Sequence, residues 1–179
     1  MPEKLSLKSN QTKFEKSKTF PSVAIVLESA SDLGLFDVGA KILEKLDISY
    51  QIFSISPLKA PLALSELALS AEESGFAVIL ASSASGGDLP ILLSAHTILP
   101  VIGFGSENLS LCRSSNGAAL SFTGDFGSDG VNAALMAASI LALSDPNIKK
   151  RLLAFRAEQS ESVMRERIIK RFDPKLVDL

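Results

Sequence analysis

Short, nearly unbroken apolar runs punctuate this chain, and each is followed by a longer stretch of helical period. Val23-Ala-Ile-Val-Leu27 contains no polar residue. A strand with one wet face alternates apolar and polar side chains, whereas a strand covered on both faces reads as a continuous run. Further runs lie at 50–55, 76–81, 100–104 and 118–122. Between the first two, Ser31 and Asp32 supply N-cap chemistry for a helix bearing Leu35, Val38, Ile42 and Leu46 at helical spacing. Helices are also predicted over 62–74, 88–97 and 128–143. Asp145-Pro146 opens a last one, with proline where its missing N–H costs nothing. Strands alternating with helices over five units predict an α/β fold, a parallel sheet with helices on both faces. Ligands on such sheets sit at the carboxyl ends of the strands, where the strand order reverses. Three loops therefore matter most: 28–32, 56–61 and 82–90.

The 179 residues suit one domain with a substantial core. A mean hydropathy of +0.28 argues against disorder. The most apolar stretches, 76–81 and 131–143, fall short of the ~18 residues a membrane span requires. The second is apolar all round, so it is expected to lie centrally or to be covered by another subunit. One cysteine, Cys112, excludes an internal disulfide framework and a cysteine-rich zinc site, and one histidine, His96, leaves almost no material for a multi-histidine metal centre or a Ser-His-Asp triad. No metal site or cofactor is expected.

Charge divides the chain. Residues 1–20 carry five Lys against two Glu; 21–145 carry four basic and thirteen acidic side chains; 146–179 carry nine basic and five acidic. An acidic body is a poor match for nucleic acid, whose binding rests on neutralising phosphates. The basic start is followed by no apolar core of a signal peptide, so the cytoplasm is expected. This gives a polar basic tail at 1–20, a sandwich domain at 21–145, a C-terminal helix at 146–172 and a short tail at 173–179.

The loop Glu28-Ser-Ala-Ser-Asp32 offers Ser29, Ser31 and Asp32, which suit a sugar or simply cap a helix. It lacks the glycines of a dinucleotide fingerprint, and no P-loop occurs. Ser56-Pro-Leu-Lys-Ala-Pro61 offers Ser56 and one charge, Lys59. Ser82-Ser-Ala-Ser-Gly-Gly-Asp88 offers Ser82 and Asp88, the latter either a ligand to a hydroxyl or a helix cap. His96 and Cys112 read as structural residues.

In these loops, and in their order, the chain resembles the carboxyaminoimidazole ribonucleotide mutases, the PurE-type AIR carboxylases. The likeness covers about residues 21–163. Residues 23–32 are similar to the family's first strand and GSxSD loop; 56–61 stand in the place of SAHRTP; 82–90 in that of GAGGAAHLP; and Pro100-Val-Ile-Gly103 matches PVIGV. Asn132-Ala-Ala-Leu135, residues 140–146 and 151–156 follow the late helices. The resemblance implies a three-layer αβα sandwich of flavodoxin type with a five-stranded parallel sheet. It also implies a homo-octamer whose last helix packs on a neighbour, and a shared site for the phosphoribosyl group of an aminoimidazole nucleotide. In that family the serine and aspartate of GSxSD hold the phosphoribosyl group, the arginine of SAHRTP pairs with phosphate and its histidine moves the proton. Ser29, Ser31 and Asp32 match. Leu58 stands at the histidine position, Lys59 at the arginine, Ala60 at the threonine, Glu28 at the first glycine and Asp88 at the second histidine. The segment between Gly103 and Gly117 is shorter than the family's. No catalytic residue is therefore intact. The leading expectation is a catalytically impaired relative acting as a binding or scaffold subunit, with itself or with an intact relative. The alternative is an active mutase of purine biosynthesis on a phosphorylated aminoimidazole nucleotide.

Overall fold

The computed structural model describes residues 22–83, 88–105, 117–123 and 130–166. The two tails, Cys112 and the shortened segment lie outside these residues. Five strands form one all-parallel sheet: β1 (Ser22–Leu27), β2 (Tyr50–Ser54), β3 (Phe76–Ser82), β4 (Val101–Phe104) and β5 (Leu120–Phe122), in the order β2-β1-β3-β4-β5. This is the flavodoxin order, with the reversal between β1 and β3. The expected parallel sheet is present, and the unbroken apolar runs have their reason in its burial. Val23, Ala24, Ile25 and Val26 of β1 and Val78, Ile79, Leu80 and Ala81 of β3 have no exposed surface.

Helices cover both faces. On one side lie α1 (Asp37–Lys45), α4 (Val131–Leu141) and α5 (Pro146–Glu166), whose Leu43, Ala134, Ala138, Ile148 and Leu152 share a core with Ile25, Leu80 and Ile102. On the other lie α2 (Pro61–Ser70) and α3 (Asp88–Ser94), where Leu64, Leu67, Leu89 and Leu93 pack on Ala24, Val26 and Ile79.

Two expectations need correction here. The helix expected to be capped by Ser31 and Asp32 is instead capped by Ser29, and it begins as a seven-residue 3-10 segment, Ala30–Phe36. Its register turns on Phe36, whose ring is buried against Phe104 at 5.0 Å between centroids. That choice puts Gly39, Leu43 and Leu46 inside and leaves Val38 exposed. The predicted helix over 88–97 ends at Ser94, so His96 sits exposed in the following turn.

Helix α4 buries one side within this chain. Ala133, Ala134, Ala137, Ala138 and Leu141 are buried within this chain, between α1 and α5 and over β3 and β4. Close approach depends on glycine at two points. A Cβ on Gly39 would come within 2.8 Å of the Gly130 carbonyl oxygen, and one on Gly130, which has φ +73°, would enter the Phe36 ring. In β4, the Phe122 ring lies where a side chain at Gly103 would go.

Helix α1 ends in a Schellman motif, with Asp47 in the left-handed region (φ 54°) and Ile48 N–H donating to the Leu43 carbonyl at 2.9 Å. Arg151 fastens α5 onto this end, its Nε donating to the Leu46 carbonyl at 2.6 Å. Nearby, Tyr50 donates to Glu44 at 2.7 Å; that bond, then burial and the Glu44 charge, raise the phenol's pKa above its ordinary value.

The last helix opens at Asp145-Pro146 as expected, and Asp145 caps it, accepting from the N–H of Asn147 at 2.7 Å and of Ile148 at 3.3 Å. Asp145→Ala is expected to lower the unfolding free energy by about 1–2 kcal/mol, because these donors lose their acceptor at a buried helix start. Urea titration measures it, and an unchanged midpoint contradicts the capping argument.

Candidate functional site

The reversal in strand order brings the ends of β1 and β3 side by side, with the end of β2 next to β1. Register aligns Leu27 with Ser54 and Val26 with Ala81, so Glu28, Ile55 and Ser82 emerge on one edge. Ile55 N–H donates to the Leu27 carbonyl at 2.9 Å. Glu28 N–H reaches Ser82 Oγ at 3.4 Å, which joins the first and third loops. Ser82 is wholly buried, and Glu28 is half-buried.

Ser29, Ser31 and Asp32 form one small hydrogen-bonded group. Ser29 N–H donates to Asp32 Oδ2 at 3.1 Å and Ser31 N–H to Ser29 Oγ at 3.3 Å, a capping box. Ser31 Oγ lies 2.9 Å from Ser29 Oγ and 3.4 Å from Asp32 Oδ1. Both serines are exposed and Asp32 is half-buried.

The second loop is a turn at 57–59 that starts α2. Ala60 N–H donates to the Ser56 carbonyl at 2.9 Å, and Pro61 occupies the first turn of the helix. Ala60 is the N-cap and has no side chain to serve the helix's free N–H groups. Leu58 is 87% exposed. Lys59 is exposed, Ser56 half-buried and Pro57 buried. Asp88 is exposed in the first turn of α3. Among the described residues, no hydrogen bond or ion pair joins Lys59 or Asp88 to the Ser29–Asp32 group. Residues 84–87, between Ser83 and Asp88, lie outside the described residues.

Sequence reasoning passed over Ser83. It is buried, and both its N–H (2.8 Å) and its Oγ (2.7 Å) donate to the Phe104 carbonyl, tying the end of β3 to β4. No spacing signals that contact, because its partner is 21 residues away.

The edge thus offers hydroxyls and carboxylates with one lysine, an arrangement that can hold the hydroxyls of a small polar ligand. It offers no imidazole for proton transfer at neutral pH.

A family model described as AIRC, AIR carboxylase, matches residues 22–162. The chain is 35% identical over 147 residues to the N5-carboxyaminoimidazole ribonucleotide mutase of Pyrococcus abyssi, covering 77% of this chain and 83% of that protein. It is 32% identical over 151 residues to the mutase of Escherichia coli K12, covering 79% and 89%. The crystal structure of Treponema denticola PurE superposes with a TM-score of 0.72 at 19% identity, covering 82% of this chain and 96% of that one. Among the described residues, no helix is long and apolar enough to cross a membrane.

Proposed function

Because this chain belongs to the AIR carboxylase family, we propose that it is a relative of the mutases that has kept their framework and lost their proton-transfer step. It acts as a binding or scaffold subunit in the cytoplasm, in a closed oligomer of its own copies, an octamer, or together with an intact relative. Leu58 carries this reading. It stands at the histidine of the family's second motif, and a leucine has no proton to give or take. Lys59 keeps the charge of the arginine it replaces but not the planar fork that grips a phosphate. Ser29, Ser31, Asp32, Ser56, Lys59, Ser82 and Asp88 line the ligand edge in this proposal, and no cofactor or metal takes part.

One observation favours the second reading, an active mutase: Ser29 and Asp32 keep both their identities and an ordered geometry. A mutase assay on purified protein separates the two, and light scattering tests assembly. Turnover at an ordinary enzymatic rate rejects the impaired reading, and a 19.0 kDa monomer at micromolar concentration rejects the scaffold.

Glu28 adds a charge argument. Its carboxylate belongs to the loop where the phosphate of a nucleotide would approach, so calorimetry with aminoimidazole ribonucleotide is expected to show weak binding or none. Glu28→Gly is expected to tighten binding by roughly tenfold, and more at low salt, where repulsion is less screened. Micromolar binding by the unaltered protein, with no effect of Glu28→Gly, contradicts this.

A further inference from the structure

A groove runs between the edge strand β5 and helix α4, two strands away from the β1–β3 junction. Its cavity of about 290 Å³ is lined from three elements: Ser121 of β5, Asn132, Leu135, Met136 and Ser139 of α4, and Arg156 of α5. The four α4 residues share one face by helical spacing, opposite the alanines that enter the core, and Met136 is 45% exposed there.

The chemistry of this groove differs from that of the body around it. Residues 21–145 carry thirteen acidic side chains against four basic ones, yet no described residue lining the groove is acidic. Its one charge is a cation without a counterion. Of the three described arginines, Arg151 donates to the Leu46 carbonyl and Arg165 lies 3.3 Å from Glu161. Among the described residues Arg156 has neither a hydrogen bond nor an ion pair. The residues three and four away on its helix, Leu152, Leu153, Gln159 and Ser160, carry no carboxylate. The Asn132 carboxamide and the Ser121 hydroxyl are likewise uncommitted among the described residues. Ser139 Oγ donates to the Leu135 carbonyl at 2.8 Å and keeps its lone pairs as acceptors.

We propose that this groove binds a small aliphatic monocarboxylate. The planar fork of Arg156 matches a carboxylate with two parallel N–H donors, and Asn132 and Ser121 supply donors for its remaining lone pairs. One cation balances one negative charge, which selects a carboxylate over the nearly dianionic head of a phosphate monoester. Leu135 and Met136 give a short hydrocarbon body its apolar wall, and methionine adapts to varied shapes. The cavity lies at the small end of ligand pockets, which start at roughly 300 Å³, so the ligand has few carbons. The site is independent of whether the ligand edge retains catalysis.

Isovalerate is the probe, followed in the full-length protein by the carbon-13 methyl resonances of its methionines. The Met136 methyl is expected to shift saturably with a dissociation constant of roughly 1 mM, while Met164, far along α5, stays in place. Arg156→Gln is expected to weaken binding about tenfold and Asn132→Ala about fivefold. Both side chains are exposed, so far-UV circular dichroism stays constant. Isovaleramide, the uncharged isostere, and inorganic phosphate are expected to give no saturable shift. No shift with isovalerate overturns the proposal. Equal binding by Arg156→Gln, or equal binding of isovaleramide, reduces the groove to an apolar crevice and overturns it too. Phosphate binding as tight as that of isovalerate overturns the assignment to a carboxylate.

Discussion

Purified protein is expected to interconvert the N-carboxylated and C-carboxylated aminoimidazole ribonucleotides no faster than the uncatalysed background. A missing general acid/base alone costs roughly 10²–10⁴-fold, which takes a typical enzymatic turnover of ~10 s⁻¹ to roughly 0.001–0.1 s⁻¹, and the Glu28 charge opposing the phosphate lowers it further. Restoring the group with Leu58→His is not expected to restore turnover. The side chain at this position is 87% exposed, so among the described residues nothing is placed to fix the tautomer of a histidine there or aim its proton. Glu28 would still oppose the phosphate. A direct assay for the carboxylated product decides the matter. Turnover near 10 s⁻¹ in the unaltered protein overturns the impaired reading, and full rescue by Leu58→His would mean that the rest of the site was never damaged.

Phe36→Ala is expected to lower stability by about 3–5 kcal/mol, a third or more of what a domain commonly has. The ring is 1% exposed and sits between Phe104, Gly39 and Gly130. Glycines have no side chains to move into a cavity, so the gap cannot close by rotamer changes and the loss falls at the high end for large-to-small changes. Gly130→Ala isolates the same packing from the other side. In the unaltered background its Cβ enters the Phe36 ring and its φ of +73° adds strain; in the Phe36→Ala background only the strain remains. The two changes should therefore be strongly non-additive in guanidinium titrations. Additive effects would show that Gly130 and Phe36 do not share this contact.

The strands were legible because continuous burial leaves a continuous apolar record, as in Val23 to Leu27. Helix register was harder. Leu35, Val38, Ile42 and Leu46 have a plausible helical period, but one buried aromatic ring at Phe36 and a 3-10 start rotate the inner face by part of a turn. Helix α4 reads as apolar nearly all round, which fits a central place or a neighbouring subunit. Alanines at 133, 134, 137 and 138 let the chain's own α1, α5 and sheet approach closely and bury one side of it, while Met136 stays 45% exposed. In the first loop a helix start was readable from its hydroxyls and carboxylate, but which serine caps it was not: Ser29, three residues before Asp32, does so rather than Ser31. The contact of Glu28 with Ser82 spans 54 residues, and no local spacing encodes it.

Helix α5 is attached to the body by Ile148, Leu152 and Phe155, and from Arg156 to Arg165 every residue is exposed. A free helix of that length is marginal in water, because its first turn is costly to nucleate. Here the buried turns have already met that cost, so the outer turns need only propagate. The exposed half is a preorganised rod rather than a segment that must fold on contact. Whatever closes on it loses little ordering entropy in doing so, and a modest apolar footprint at Leu153, Val163 and Met164 can then suffice to hold it.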